Sequence, residues 1–272
     1  MRVIFLKILL SVVLFAGDST LTKQFEYALE LYEKGNIYDS YTEFERLKFF
    51  DSNGNFVFPA NYYQGFCLRE AGMYELSNQK FLEAIQNAKD PALIFDSNIM
   101  IIKNLILSGD VLAVQRRIEY AKKSYTSSTQ NEQLEFWRGW ALMFEGKWVE
   151  ASKTFTGIDE YLTSFCDSMD NESLSVTTGL ILSLIPGLGQ VYAGKYLEGA
   201  VSFAWNIFSG YLTINSFLNK DFAGTVLAGN FLFLRFITGN FNNTIKYIEE
   251  KNFESRKEAI NQLLKNYKGQ KP

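Results

Sequence analysis

The side chains that most often carry out covalent chemistry are scarce in this 272-residue chain. It has no histidine, which excludes imidazole general bases, histidine-dependent triads and histidine zinc sites. Its two cysteines, Cys67 and Cys166, stand 99 positions apart; they are too few for a four-thiolate metal site or a disulfide framework, and two free thiols are expected. Gly187-x-Gly189 lacks the third glycine of a dinucleotide loop and follows a helix-like run instead of a strand. Carboxylates are plentiful but dispersed, with no pairing that suggests acid–base catalysis. The expectation is a protein that is not an enzyme and uses no cofactor and no metal. The recognition chemistry that remains is aromatic and basic, at Tyr32, Tyr62, Phe66, Arg69, Lys103, Phe136 and Trp140. A groove lined in this way suits an apolar helical or extended segment of a protein or peptide partner.

Those seven positions share a register. Glycines 35, 72, 109 and 146 are spaced by 37 residues each time. Nine positions after each stands Phe44, Phe81, Ile118 or Phe155; five after, Ser40, Ser77, Val114 or Ala151; seven before, Ala28, Gly65, Ile102 or Gly139. Each unit is expected as a helix, a turn at the glycine and a second helix, with a small residue where the helices cross and a bulky one on the second helix's core face. The strings Gly72-Met-Tyr74…Phe81…Ala84 and Gly146-Lys-Trp148…Ala151…Phe155 resemble the tetratricopeptide repeat. The resemblance runs from Leu21 to about Ile158 in four units, the third degenerate. Its period is three residues longer than usual, so the connections are longer, Ser52 to Pro59 being one. It implies a helical-hairpin solenoid whose concave face is lined by the first helix of each unit. Offsets from each glycine place the seven recognition residues on that face.

A second set of residues is conformational. No charge stands between Glu172 and Lys195, nor between Glu198 and Lys220. A helix crossing the hydrocarbon layer needs about 20 apolar residues. Pro186, Gly187, Gly189 and Gly194 fall between the two runs and Gly199 near the start of the second. Proline removes a backbone donor and glycine permits left-handed dihedrals, so the chain is expected to turn here, with positive φ at Gly189 and Gly194. Two apolar helices joined in this way make a hairpin, brought close by small residues, with Tyr192 at headgroup level. The string Pro186-Gly187-x-Gly189-Gln190-x-Tyr192-x-Gly194, with Gly199 after four more residues, resembles the PGxGQxYxGxxxxG signature of bacterial membrane domains of the TM-two family. The resemblance covers Leu174 to about Gly239 and departs from the eukaryotic form, which carries a His-Arg-Phe-Tyr run. It implies a membrane domain with no catalytic role.

The remaining segments set the frame. Residues 1–17 have a positive start at Arg2 and Lys7 and an apolar run from Ile8 to Ala16, the form of a signal peptide or signal anchor. From Asp18 to Glu172 there are 15 Lys+Arg against 24 Asp+Glu, net −9, and from Ser173 onward 10 against 6, net +4. An acidic array argues against nucleic acid, and Arg116-Arg117 with Lys122-Lys123 is expected as a solvated helix face. Phe222 to Ile237 is a third, weaker apolar segment, and the tail from Lys246 carries seven basic residues against four Glu. Its positive charge favours a cytoplasmic tail and hence three spans. The expected fold is all-α: residues 18–172 a tetratricopeptide-like helical-hairpin solenoid, 173–241 a transmembrane hairpin domain of two to three apolar helices, and 242–272 a charged amphipathic helix. The expected function is a membrane-anchored adaptor that binds a protein or peptide partner and membrane lipid on the outer side of the bacterial cytoplasmic membrane. The alternative is an accessory factor of membrane protein insertion or envelope assembly.

Overall fold

The computed structural model describes residues 19–125 and 127–272; the leader expected at residues 1–17 lies outside them. Among the described residues every regular element is helical. Two compact units meet at Thr163/Ser164. That point lies inside the helix Glu160–Glu172, nine residues before the boundary expected from composition. Charge runs mark where the surroundings of a chain change, and these need not coincide with the ends of a helix.

The first unit is a row of antiparallel helix pairs: α1 (Ser19–Glu33) with α2 (Ile37–Phe50), α3 (Val57–Glu70) with α4 (Tyr74–Asn87), α5 (Pro91–Ser108) with α6 (Val111–Ser124), and α7 (Ser128–Glu145) with α8 (Trp148–Phe155). All four glycines of the 37-residue register have positive φ, between 73° and 85°, and at Gly35, Gly72 and Gly109 there is open space where a Cβ would stand. Each lets the chain leave one helix in a left-handed turn and enter the next. Asp90 and Asp110 cap α5 and α6 by accepting from the amides of Ala92 and Ala113, both at 2.9 Å.

The repeat offsets converge in space. A Cβ on Gly65 would lie 2.8 Å from the Phe81 ring, and one on Gly139 would lie 2.5 Å from that of Phe155. A small residue in the first helix thus makes room for the large residue of the second. The third pair reaches the same filling with Ile102 and Ile118, both buried, an exchange of small-plus-large for two medium side chains that conserves volume. Ser40 donates to Ala28 O at 2.8 Å and Ser77 to Gly65 O at 2.7 Å, fastening the first two crossings in the same way. The longer connection after α2 is closed by Asp51, whose carboxylate accepts from the amides of Asn55 and Phe56 at 3.1 and 2.6 Å. Pro59 is not in this loop but in the first turn of α3, where no amide is needed.

The second unit holds α9 (Glu160–Glu172), which enters it from the first, then α10 (Val176–Leu182), α11 (Leu188–Tyr192) and α12 (Tyr196–Leu218). A last helix runs continuously over Phe222–Asn266. It comprises α13 (Phe222–Val226), a π-helical turn at Leu227–Phe233, and α14 (Leu234–Asn266). The uncharged run between Glu172 and Lys195 is therefore not one spanning helix. It breaks into helices of seven and five residues, roughly 10 and 8 Å long against the ~30 Å hydrocarbon layer. Gly187, at φ 86°, supplies the break. The hairpin forms one element later, between α12 and the Phe222–Asn266 helix. The apolar segment and the charged segment expected as separate pieces are the two halves of that single helix.

Candidate functional site

In the first unit the seven expected recognition residues divide. Tyr62 is 4% exposed and Trp140 fully buried, so both belong to the interior. Tyr62 packs edge-on against Phe66 and Phe81, with ring centroids 5.0 and 5.5 Å apart. First-helix positions facing along the stack are covered by neighbouring helices, and burial of this kind is invisible in the register. Tyr32, Phe66, Arg69, Lys103 and Phe136 remain half-buried, and these five form the candidate surface. Tyr32 and Phe66 lie 6.4 Å apart, ring to ring. The Arg69 guanidinium donates to Asn104 Oδ1, and Asn104 Nδ2 in turn donates to Ser77 Oγ and Asn78 Oδ1 at 2.8 and 2.9 Å. Lys103 Nζ sits 4.6 Å above the Trp137 ring, and Phe136 meets the same ring edge-on at 4.9 Å. The strip is aromatic at both ends and basic in the middle, and can accept an apolar segment carrying negative charge. Asn104 and Trp137, which hold the two cations in place, were not among the expected residues.

Nearby, burial pushes the Asp96 carboxyl up to about 6, with Asp90 adding to the effect. The thiols of Cys67 and Cys166 are buried, which raises them to about 11 and about 12. At neutral pH both stay protonated and unreactive.

In the second unit the Pro186–Gly199 motif is a packing site. Gly187 and Gly194 have positive φ and Gly189 does not. Gly189 lies within α11, where an added Cβ would collide with Ser183 Oγ and lie 2.6 Å from Gly179 O and Thr244 Cγ2. Its missing side chain is a spatial requirement, not a conformational one. Gly187 and Gly199 bring two backbones together: a Cβ on Gly199 would stand 2.8 Å from Gly187 O. Tyr192 is half-buried, and its hydroxyl accepts from the Ser175 amide at 3.1 Å.

The residues that fasten this motif come from α14. Asn240 Oδ1 accepts from the Gly187 amide at 2.8 Å and from Ser202 Oγ at 3.1 Å, while its Nδ2 donates to Ser183 O at 2.9 Å. Ser183 and Thr244 hydroxyls meet at 2.8 Å. Asn252 grips both backbone groups of Leu174 at 2.9 Å. Asn240, Thr244, Ile248 and Asn252 recur every four residues, one helix face; that spacing was the available signal. Gln190 is 1% exposed, and neither atom of its amide has a hydrogen-bond partner.

Among the described residues no group of three or more His, Cys, Asp or Glu side chains is placed to hold a metal. No family model, curated protein or solved structure matches the chain.

Proposed function

We propose that this chain is a membrane-tethered binding scaffold of the bacterial envelope. Its tetratricopeptide-like array offers the Tyr32–Phe66–Arg69–Lys103–Phe136 strip to a protein or peptide partner, and its TM-two-like unit sits in lipid. One observation carries the reading. In α12 and the apolar half of the last helix the buried positions are small or polar and the large apolar side chains face outward. The residues of α12 that are buried are Gly199, Asn206 and Ser209, while Phe208, Tyr211 and Phe217 are 50%, 63% and 69% exposed. Among the apolar residues around the π-helical turn, Phe222, Leu227 and Phe231 point outward in the same way. In water this arrangement exposes far more apolar surface than a stable monomer tolerates. In hydrocarbon it is the favourable one, because polar groups satisfy each other inside and the lipid tails take the rest.

By length and composition Phe222–Asn266 is the candidate span of this unit, with 6% of its apolar window buried. The similarly apolar α5 is half buried within the array and serves as a core helix. The last helix is roughly 65 Å long, so its charged half projects beyond the hydrocarbon. With α12 as its partner the unit crosses twice, which returns the tail to the side of the array. The leader-like residues 1–17 support an extracytoplasmic placement of the array.

The test is a photo-crosslinking residue placed in the full-length protein in native bacterial membranes. At Phe66 or Phe136 it is expected to give one discrete protein adduct, and at Phe217 lipid adducts. Extraction of the chain by alkaline carbonate, or the same adduct pattern from Phe66 as from the exposed Tyr38, contradicts the reading.

A further inference from the structure

A second recognition site lies away from the aromatic strip, where α4, α5 and α6 meet. A cavity of about 320 Å³ opens there, lined by the apolar Leu82, Ile85 and Ile94 and by the polar Asn98, Arg117 and Tyr120 among others. The volume is at the small end of ligand sites, enough for one residue-sized group.

Two of its polar side chains, Arg117 and Asn98, each keep a buried atom without a partner. Arg117 is half-buried and forms no ion pair or hydrogen bond among the described residues; its Nε is shielded from water without a partner. The Tyr120 ring lies 5.5 Å from its guanidinium carbon. This stands out in a unit where basic side chains such as Lys48, Lys80, Lys122 and Arg138 pair with glutamates. A guanidinium withdrawn from water without a counter-charge is costly, and an anion removes that cost. Asn98 is 1% exposed. Its Nδ2 donates to Ile94 O at 2.8 Å and to Tyr125 Oη at 3.4 Å. The bond to a carbonyl fixes which end of the amide is nitrogen, and it leaves Oδ1 buried, an acceptor without a donor. The cavity is therefore lined by a forked cation, an aliphatic wall and the side chain of Asn98, whose acceptor is unpaired.

We propose that this cavity binds an N-acyl α-amino carboxylate with an aliphatic side chain. The carboxylate pairs with Arg117, the adjacent amide N–H donates to Asn98 Oδ1, and the side chain fills the wall of Leu82, Ile85 and Ile94. Such a group occurs as a free N-acyl amino acid and as the last residue of a polypeptide. The site is independent of the membrane reading, since all its residues lie in the first unit.

The test titrates full-length protein in detergent with N-acetyl-leucine, its N-methyl analogue, and acetyl-Ala-Ala-Leu as acid and as amide, by calorimetry. Both acids are expected to saturate, with the amide and the N-methyl compound each weaker by about tenfold or more. Arg117→Gln is expected to weaken the acids by a similar factor, and Arg116→Gln, on the exposed side of α6, to leave them within about twofold. Arg117→Lys, which keeps the charge but loses the fork, serves if the glutamine variant unfolds, and is expected to weaken binding as well. A tripeptide acid that binds much more tightly than N-acetyl-leucine points to a polypeptide end, and equal affinities to the free acid. Equal titration by acid and amide overturns the proposal, as does the absence of saturation by either acid below about 10 mM.

Discussion

Two crossings in this molecule solve the same packing problem with opposite occupants. In the array, Gly65 makes room for Phe81 and Gly139 for Phe155, and the large rings they admit are buried. In the second unit, Gly187 makes room for the backbone of Gly199, and Gly189 for Ser183 and Thr244. There the glycines admit backbone and hydroxyls, while rings such as Phe208 and Phe231 stay outside. In water the favourable exchange is to bury apolar area. In lipid apolar area gains nothing from burial, and close approach with satisfied polar groups decides the packing. A glycine means different things in the two units because its surroundings differ.

Removing a ring separates the two cases most strongly. Phe81→Ala is expected to destabilise the array by about 4 kcal/mol, whereas Phe231→Ala, at an outward-facing position, is expected to change stability in detergent by less than ~0.5 kcal/mol. Thermal unfolding of both variants checks this; comparable losses from the two would erase the contrast.

Removing a buried amide inverts the ranking. Asn240→Leu leaves the Gly187 amide and the Ser183 carbonyl without partners, at a cost of about 3 kcal/mol. It is expected to loosen the Pro186–Gly199 turn, read as faster proteolysis there with the array intact. Asn87, whose Nδ2 returns to Glu83 O within its own helix on the exposed side, is expected to tolerate the same substitution within ~0.5 kcal/mol.

The array should carry the acid-side pH dependence. Asp96 is raised in the folded state, so the folded protein binds its proton more readily than the unfolded chain. The stability linked to it is present below pH ~4 and is lost as the pH rises through about 6. Asp96→Asn is expected to stabilise the protein by about 1 kcal/mol at pH 7, a modest figure because the side chain is only partly buried. At pH 4 it should have almost no effect. Melting curves at the two pH values decide it; equal gains at both would show that the carboxyl titrates normally.

How much of this was legible follows the same division. The four glycines of the array gave away the fold because each must turn left-handed after a helix, and the residues at fixed offsets from them meet in space. The candidate strip was only partly legible: Tyr62 and Trp140 have the right register, but burial removes them. Arg117 belonged with Arg116 as a solvated pair by sequence, and one residue's rotation around α6 makes one exposed and the other half-buried. In the second unit, counting uncharged residues found the apolar material but not its breaks. Gly187 splits the first run, and a π-helical turn lets the next segments join as one helix. The fastening residues Asn240, Thr244 and Asn252 sit in the stretch that was divided between an apolar segment and a charged tail, which hid their four-residue spacing.

The proposed inversion of solvent between the units can be measured directly with a nitroxide at one position in each, Tyr38→Cys in the array and Phe208→Cys in α12, in the full-length protein reconstituted into lipid bilayers. Cys67 and Cys166, buried and protonated at neutral pH, leave each introduced thiol as the reactive one. Spin-label accessibility should favour dissolved oxygen over a water-soluble nickel chelate at position 208, and the chelate over oxygen at position 38. If position 208 is as open to the chelate as position 38, the second unit is not in lipid and its outward-facing rings need another explanation.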